Sequence, residues 1–483
     1  MINTVKIHLP DVSDDEDRLL NHLLEQLEDQ RPANLLRTGF YDGKHAVREV
    51  GSIIPPEYLR LGIVLGWAAK AVDALARRCN LDGFVWPDGD LESLGGRRVW
   101  EDNYLAAESS SAMVSSLIHG PAFLVNTVGG SGEPESLIHV KDALNATGDF
   151  NARTRGLDNL LSVNTWDDDG NPSALTLYLD GETITAERGG AGKWEVQRSE
   201  HMWGVPAEAL VYHPRVGRPF GNSRISRPVM SLHTRALRMC IRMEAHADIY
   251  SIPQLILLGA DQKQFKNADG SLKPAWRVAI GRLFSLPDDD EADNPRADVK
   301  HIQAASPTPH IDALHQLAQQ FSAETSIPLS SLGIDHSNPT SSDSYIAGRV
   351  ELIGEAEGAT DDWTPAFKRS MIRALAIINH EPIDERWSTV EPKWRSPVYL
   401  SRAAQADAGS KQLAAVPWLA ETEVGLELLG LDEQQIRRAM AEKRRAQGRG
   451  VLEALVARAA GTTPAPAIPA PAAPALEAGN VAS

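Results

Sequence analysis

Tyr212-His213-Pro214-Arg215-Val216-Gly217-Arg218-Pro219-Phe220-Gly221-Asn222-Ser223-Arg224 runs straight into a long apolar segment that ends at Ser251-Ile252-Pro253-Gln254. Pro214 and Pro219 with Gly217 and Gly221 restrict this hook to a tight backbone path. Ser226 is placed to cap the helix that follows, and Pro228 is tolerated because a first-turn amide has no intrahelical partner. The spacing predicts a helix over 227–250. Val229, Leu232, Ala236, Met239, Cys240 and Met243 recur at threes and fours, and Leu237 with Ile241 makes a further side apolar. Arg227, Arg235, Arg238 and Arg242 form a second stripe on an adjacent face. Such a helix is expected to be buried among neighbours that supply carboxylates, as in the wall of an assembly. Glu351, Glu355 and Glu357 are one candidate supply. Because a buried arginine without a carboxylate is costly, ion pairing is preferred to DNA contact for the stripe.

The chain of 483 residues has room for several packed layers or domains. Its two cysteines, Cys79 and Cys240, sit far apart in apolar settings, which suits buried reduced thiols and a cytosolic compartment rather than a disulfide or a metal site. The N-terminus lacks a charged-then-apolar signal pattern, and the best apolar run, residues 61–69, is too short for a membrane span. With 65 acidic against 48 basic residues, the net charge of −17 argues against a broad DNA-gripping face. It suits a conduit whose walls repel phosphate, or plain solubility.

Outward from the hook, Ser13-Asp14-Asp15-Glu16 is a capping box ahead of a stripe of Leu19, Leu20, Leu23, Leu24 and Leu27. A second helix is expected over 57–79, with Leu59, Ile63, Trp67, Ala71 and Leu75 at helical spacing. Turn signals at Asp169-Gly170, Asp180-Gly181 and Gly189-Gly190 punctuate an antiparallel meander between 140 and 213, and Leu175, Leu177 and Leu179 alternate within it. Residues 251–308 read as a small α/β insertion with a lysine-bearing loop at 262–274 and an acidic run at 288–293. A helix follows over about 311–321. Helical patterns resume over 342–378, with interruptions expected at 358–360 and at Pro365. Residues 401–460 read as helical with short breaks, Asp432 and Gln435 offering another cap. The tail from 461 is Pro/Ala-rich and is expected to be extended.

Catalytic motifs find little support. Gly189-Gly190-Ala191-Gly192-Lys193-Trp194 is nearest to a phosphate loop, yet Glu187 stands where the first glycine belongs and Trp194 where a Ser/Thr magnesium ligand belongs, so it reads as a hairpin loop. Asp167-Asp168-Asp169-Gly170 and Asp288-Asp289-Asp290-Glu291 lack the regular ligand spacing of a calcium loop and read as solvated turns, although the second run could meet a basic partner. Neither His-Glu-x-x-His, Cys-x-x-Cys nor Gly-x-Ser-x-Gly occurs in the chain. His213 is expected to serve structure rather than act as a base.

Hook, helix and Pro-Gln exit together resemble the portal (connector) proteins of tailed double-stranded DNA bacteriophages, of the long-tailed branch. Three further segments share the resemblance, which spans about residues 30–445. These are Phe40-Tyr41-Asp42-Gly43-Lys44-His45; Ser326-Ile327-Pro328-Leu329-Ser330-Ser331-Leu332-Gly333 followed by Asn338-Pro339-Thr340-Ser341-Ser342-Asp343-Ser344; and Glu391-Pro392-Lys393-Trp394 with Ser401, Ala403, Ala404 and Lys411. The resemblance implies an α+β portal fold: an α/β wing (1–222 and 361–400), two stem helices (223–250 and 309–325), a small α/β clip (251–308), a tunnel segment (326–360), an α-helical crown (401–460) and the tail (461–483). It implies a mechanical role as a homo-oligomeric ring of about twelve subunits at one capsid vertex. Its partners would be the terminase large subunit, head-completion (adaptor) proteins, a major capsid or scaffold protein, and double-stranded DNA in the channel. No enzyme activity, cofactor or metal is implied. Arg227, Arg235, Arg238 and Arg242 would then lie at subunit interfaces, and Ser344, Gly348 and Glu351 would line the tunnel, where Gly348, Gly354 and Gly358 lower helix propensity by about 1 kcal/mol each. A nuclease or a minor head or scaffold protein are the alternatives.

Overall fold

The computed structural model describes residues 6–47, 56–190, 192–250, 254–258, 298–302, 305–334, 349–399 and 401–459. These fall into two compact units, one ending at Val398 and the other starting at Tyr399, and mix helix with sheet. In the first unit the expected capping box forms: Ser13 Oγ accepts the Glu16 amide at 3.3 Å, and the Glu16 carboxylate accepts the Ser13 amide at 2.6 Å. It opens α1 (Asp14–Tyr41). The expected helix over 57–79 is shorter. A 3-10 turn covers Pro56–Arg60, and only Trp67–Ala76 forms α2. Gly62 has φ of +66°, a left-handed backbone that ends a right-handed helix. Leu59 and Ile63 therefore leave the stripe and pack with Leu237 and Ile241.

Beyond α2 come β1 (Leu81–Val85), α3 (Gly96–Asp102) and α4 (Leu105–His119). Strand β2 (Pro121–Val128), whose first six residues are buried, is the centre of a three-stranded antiparallel sheet. Its neighbours are β3 (Ser136–Asp142) and, after the meander, β9 (Ala207–Val211). The meander itself is the expected antiparallel sheet: β4 (Ala146–Asn151), β5 (Gly156–Trp166), β6 (Pro172–Leu179), β7 (Glu182–Arg188) and β8 (Trp194–Glu200), each paired with the next. Gly170 and Gly181 turn its hairpins with φ of +80° and +76°. Leu20, Leu23, Leu24 and Leu27 of α1 are buried against Leu161, Leu175, Leu177 and Ile184 of this sheet. Arg198 adds an ionic clamp, reaching Glu16 at 2.7 Å and Glu182 at 2.8 Å. Its guanidinium hydrogen bond is the main reason the Glu16 carboxyl falls to about 2.

After the hook, α5 (Arg227–Tyr250) leads to β10 (Gln254–Leu258), which pairs antiparallel with β11 (Asp298–Ile302). Then follow α6 (Thr308–Thr325), α7 (Val350–Asn379) and β12 (Glu391–Trp394), the last closing back on β1. Helix α7 corrects the sequence expectation. It runs without interruption through Gly358 and Pro365. The reason is one of magnitude. An interior proline costs about 3 kcal/mol, whereas Leu352, Ala356, Trp363 and Phe367 are buried in the main core, and each large apolar side chain contributes roughly 1.5–3 kcal/mol. Further along, Arg369 and Arg373 converge on Glu208 of β9, which is only 3% exposed, at 2.7 and 2.8 Å. Arg373 and Ser370 also donate to Asn126 Oδ1 of β2.

The second unit comprises α8 (Arg402–Ala415), α9 (Glu423–Leu428) and α10 (Glu433–Ala459). Ser401 and Thr422 cap the first two, and Asp432 and Gln435 form the expected reciprocal cap of the third. Gly409 lets α8 approach α9: a Cβ there would stand 2.2 Å from the Leu428 carbonyl oxygen. The loop at 262–274, the acidic run at 288–293, the motif at 338–344 and the tail from 461 lie outside the described residues.

Two buried histidines make the fold sensitive to acid. His119 ends α4, and His233 of α5, only 1% exposed, accepts the Ala68 amide at Nδ1 over 3.3 Å. Burial above all pulls both from 6.5 down to about 4. Between those values the unfolded chain binds more protons than the folded one, so stability is complete above about pH 6.5 and falls as pH drops toward 4. Each histidine contributes up to about 1.4 kcal/mol per pH unit in that window. Urea midpoints of the first unit's transition, measured across it, should decline and then flatten for these groups. The decline should be shallower in His233→Gln, and a pH-independent midpoint would contradict the assignment.

Candidate functional site

The hook is built by backbone bonds rather than by its side chains. The Tyr212 amide donates to the Gly120 carbonyl at 3.0 Å, and the Asn222 amide returns to the Tyr212 carbonyl at 3.0 Å. Gly221 has φ of +68°, and a Cβ on it would lie 2.1 Å from the Tyr212 carbonyl oxygen, so only glycine closes the loop. His213 serves structure, as expected, but through its amide, which donates to Asp362 Oδ2 at 3.0 Å. Ser223 Oγ donates to the Ile118 carbonyl. This path drives Arg224 into the interior.

Arg224 is the residue that sequence reasoning passed over. With only 4% of its side chain exposed, it pairs with Glu355 of α7 and donates to the Ala71 carbonyl of α2, the Tyr212 hydroxyl at 3.1 Å and the Thr325 carbonyl of α6 at 2.8 Å. Tyr212 in turn donates to Glu355 at 2.7 Å, and burial foremost pushes its phenol well up. The neighbouring Cys79 thiol is pushed up to about 12, again mainly by burial, and so stays protonated and inert. Nothing in the pattern of the chain separates Arg224 from the other hook arginines. Its distinction is where the turn places it.

Ser226 Oγ accepts the Val229 amide at 3.3 Å, the cap expected for α5. On that helix Val229, Leu232, Ala236, Leu237, Ile241 and Ala245 are buried, while Met239, Cys240 and Met243 are half-buried. In the single chain Arg227, Arg235 and Arg242 are exposed and Arg238 is half-buried. Arg235, Arg238 and Arg242 line a shallow groove of about 470 Å³ against Gln316 and Gln320 of α6, with Arg235 Nη1 3.5 Å from Gln320 Oε1. The expected carboxylate supply is also redirected, since Glu355 serves Arg224. The structure brings three stripe residues together in this groove, whereas Arg227 borders the separate groove behind the hook. Glu351 is exposed at the start of α7, while Ser344 and Gly348 lie outside the described residues. Among the described residues no group of three or more His, Cys, Asp or Glu side chains is placed to hold a metal ion. No described helix is long and apolar enough to cross a membrane.

Comparison with known proteins finds relatives over most of the chain. The family model for phage portal proteins of the SPP1 Gp6-like type matches residues 20–449. The portal protein of Mycobacterium phage L5 is 24% identical over 414 residues, covering 83% of this chain and 84% of the relative. That of Mycobacterium phage D29 is 24% identical over 447 residues, covering 90% of each. Among solved structures, a chain from the neck of an empty gene transfer agent particle superposes with a TM-score of 0.40 at 13% identity, over 83% of this chain and 99% of the other.

Arg224 yields a direct test. A lysine ammonium cannot serve the Ala71 and Thr325 carbonyls, Tyr212 and Glu355 at once, and each buried acceptor left unpaired costs about 1–3 kcal/mol. Arg224→Lys should lower the urea midpoint by the equivalent of about 3–5 kcal/mol, whereas the exposed Arg227→Lys should change it by less than about 0.5 kcal/mol. Equal midpoints for the two variants would remove Arg224 from the centre of the frame.

Proposed function

The chain belongs to the SPP1 Gp6-like family of phage portal proteins, and on that premise we propose that it closes into a ring of about twelve copies at one capsid vertex. Members of this family are structural proteins, not enzymes. In this reading the ring is the channel through which the double-stranded genome enters and leaves. It docks the terminase large subunit during packaging and head-completion (adaptor) proteins afterwards, with the major capsid or scaffold protein around it. The carrying observation is the family match across residues 20–449, which takes in both the hook and α5.

Two physical features support the reading. At −17 per chain, about twelve copies carry roughly −200 before counterions, and such a wall keeps phosphates from lodging. The stripe of Arg227, Arg235, Arg238 and Arg242, exposed but for the half-buried Arg238, gives each chain cations with which to hold an acidic neighbour. Ser344, Gly348 and Glu351, ahead of and at the start of α7, belong to the channel wall in the same reading, and the exposed carboxylate of Glu351 suits that place.

Electron microscopy of the purified chain should show closed rings with a central hole, and a monodisperse monomer at micromolar concentration in both low and moderate salt would count heavily against the proposal. Arg238→Glu should weaken association by roughly tenfold while the rings that remain still pass DNA. Normal rings that fail to package would move the stripe from subunit contact to DNA contact. For the wall, Glu351→Cys on a background lacking Cys79 and Cys240, labelled with a bulky thiol reagent, should arrest packaging without loss of rings. Unimpaired packaging by fully labelled rings would take Glu351 out of the channel.

A further inference from the structure

Behind the hook lies an open groove of about 1040 Å³, separate from the stripe groove on α5 and α6. Arg224 on its floor is paired with Glu355, whereas three other cations that line it are held differently. Arg215 and Arg218, paired across the hook by a β-bridge, each donate to the side-chain oxygen of Asn222, at 3.4 and 3.2 Å. Arg37 donates to Asn34 Oδ1 at 2.9 Å and to the His119 carbonyl at 2.8 Å. Among the described residues, all the hydrogen-bond acceptors of these three guanidinium groups are neutral. Burial, and after it the charge of Arg218, pull Arg37 below the ordinary arginine value, so these cations crowd one another.

The rest of the surface is not that of a nucleic-acid site. Val216, at the hook tip between Arg215 and Arg218, is wholly exposed, at 107% of its reference area. Glu324 and Asp362 stand among the arginines, and Val229 and Met230 add apolar lining. A duplex would want an unbroken basic face, whereas mixed charge around an apolar knob suits a protein surface. On the opposite wall α7 exposes Gly354 and Gly358, one turn apart. A Cβ on either would meet no described atom within 4 Å, so packing inside the chain does not call for glycine at these positions.

We propose that the hook and this groove are a contact surface for a second copy of the chain, with Arg215, Arg218 and Arg37 receiving carboxylates from that copy and Val216 seated against it. The inference rests on the ring reading above and locates one of its contacts. Charge complementarity selects the occupant. The chain offers 65 acidic side chains against 48 basic ones, so a second copy is rich in the carboxylates that the acceptors of Arg37, Arg215 and Arg218 do not include.

The test uses the full chain, with the concentration at half-assembly read by mass photometry, folding by urea denaturation, and binding to a short DNA duplex by fluorescence anisotropy. The pair Arg215→Glu and Arg218→Glu should raise the half-assembly concentration by at least about tenfold with the monomer transition unchanged, whereas Arg215→Lys with Arg218→Lys should assemble close to the parent. The pair Gly354→Leu and Gly358→Leu should keep or raise the monomer midpoint, since leucine is the better helix former, yet assemble as poorly as the glutamate pair. Assembly at the parent concentration in both the glutamate and leucine pairs would overturn the proposal. Loss of duplex binding with unaltered assembly would reassign the groove to nucleic acid. A parent chain that never forms rings would instead defeat the ring reading itself, and this contact with it.

Discussion

The buried guanidinium of Arg224 is the constraint on which the first unit depends. A cation removed from water must have its donors satisfied, and here they are satisfied by groups on α2, α6 and α7 together with the hydroxyl at the end of β9. Apolar packing among these elements would tolerate small slides, because it has no direction. Hydrogen bonds to the Ala71 and Thr325 carbonyls do not, since their strength decays within a few tenths of an ångström and a few tens of degrees. The hook exists to deliver this side chain. Its close turn at Gly221 and its bond from Ser223 to the end of α4 set the position from which Arg224 enters the core.

A second buried charge of opposite sign acts further along the same helix. Glu208, on the edge strand β9 of the three-stranded sheet, draws Arg369 and Arg373 onto it, so α7 is held at Glu355 by an arginine from the hook and at its later turns by a carboxylate from β9. Between the two lie Trp363 and Phe367 in the main core. This arrangement explains why Gly358 and Pro365 do not break the helix: the local cost falls inside a span secured on both sides. It also gives the long element a defined register, which purely apolar burial would leave less certain.

Charges that are not buried have a different role. Arg227, Arg235 and Arg242 of α5 and Arg215 and Arg218 of the hook face solvent in the single chain, on a molecule with a large negative excess. Surface cations contribute little to the stability of the chain that carries them. In the proposed ring their place is at contacts between copies, where each guanidinium would be desolvated by its partner. Under that proposal the frame and the contact surfaces are made from the same residue type, and burial decides which role each arginine takes.

How much of this was legible in the chain follows from the range of the forces involved. Local chemistry was: the Ser13 capping box, the Ser226 cap, the Asp432–Gln435 cap, the glycine turns of the meander and the three-to-four spacing of α5 are all set by neighbours within a few residues, and the ordered motifs carried the family. Events that compare a local preference with distant burial were not. The helix over 57–79 was cut at Gly62, whose flanking apolar residues found partners on α5, and α7 ran through Gly358 and Pro365 because the core outweighed their cost. The stripe of Arg227, Arg235, Arg238 and Arg242 has a helical period that any reader of the sequence sees, whereas Arg224 has none. Sequence by itself determined which segments turn, cap and pair. Only the tertiary structure decided that Arg224 goes in while the stripe stays out, because burial of a charge depends on acceptors brought from Ala71, Thr325 and Glu355, residues separated from it by more than a hundred positions along the chain and joined to it only by the fold.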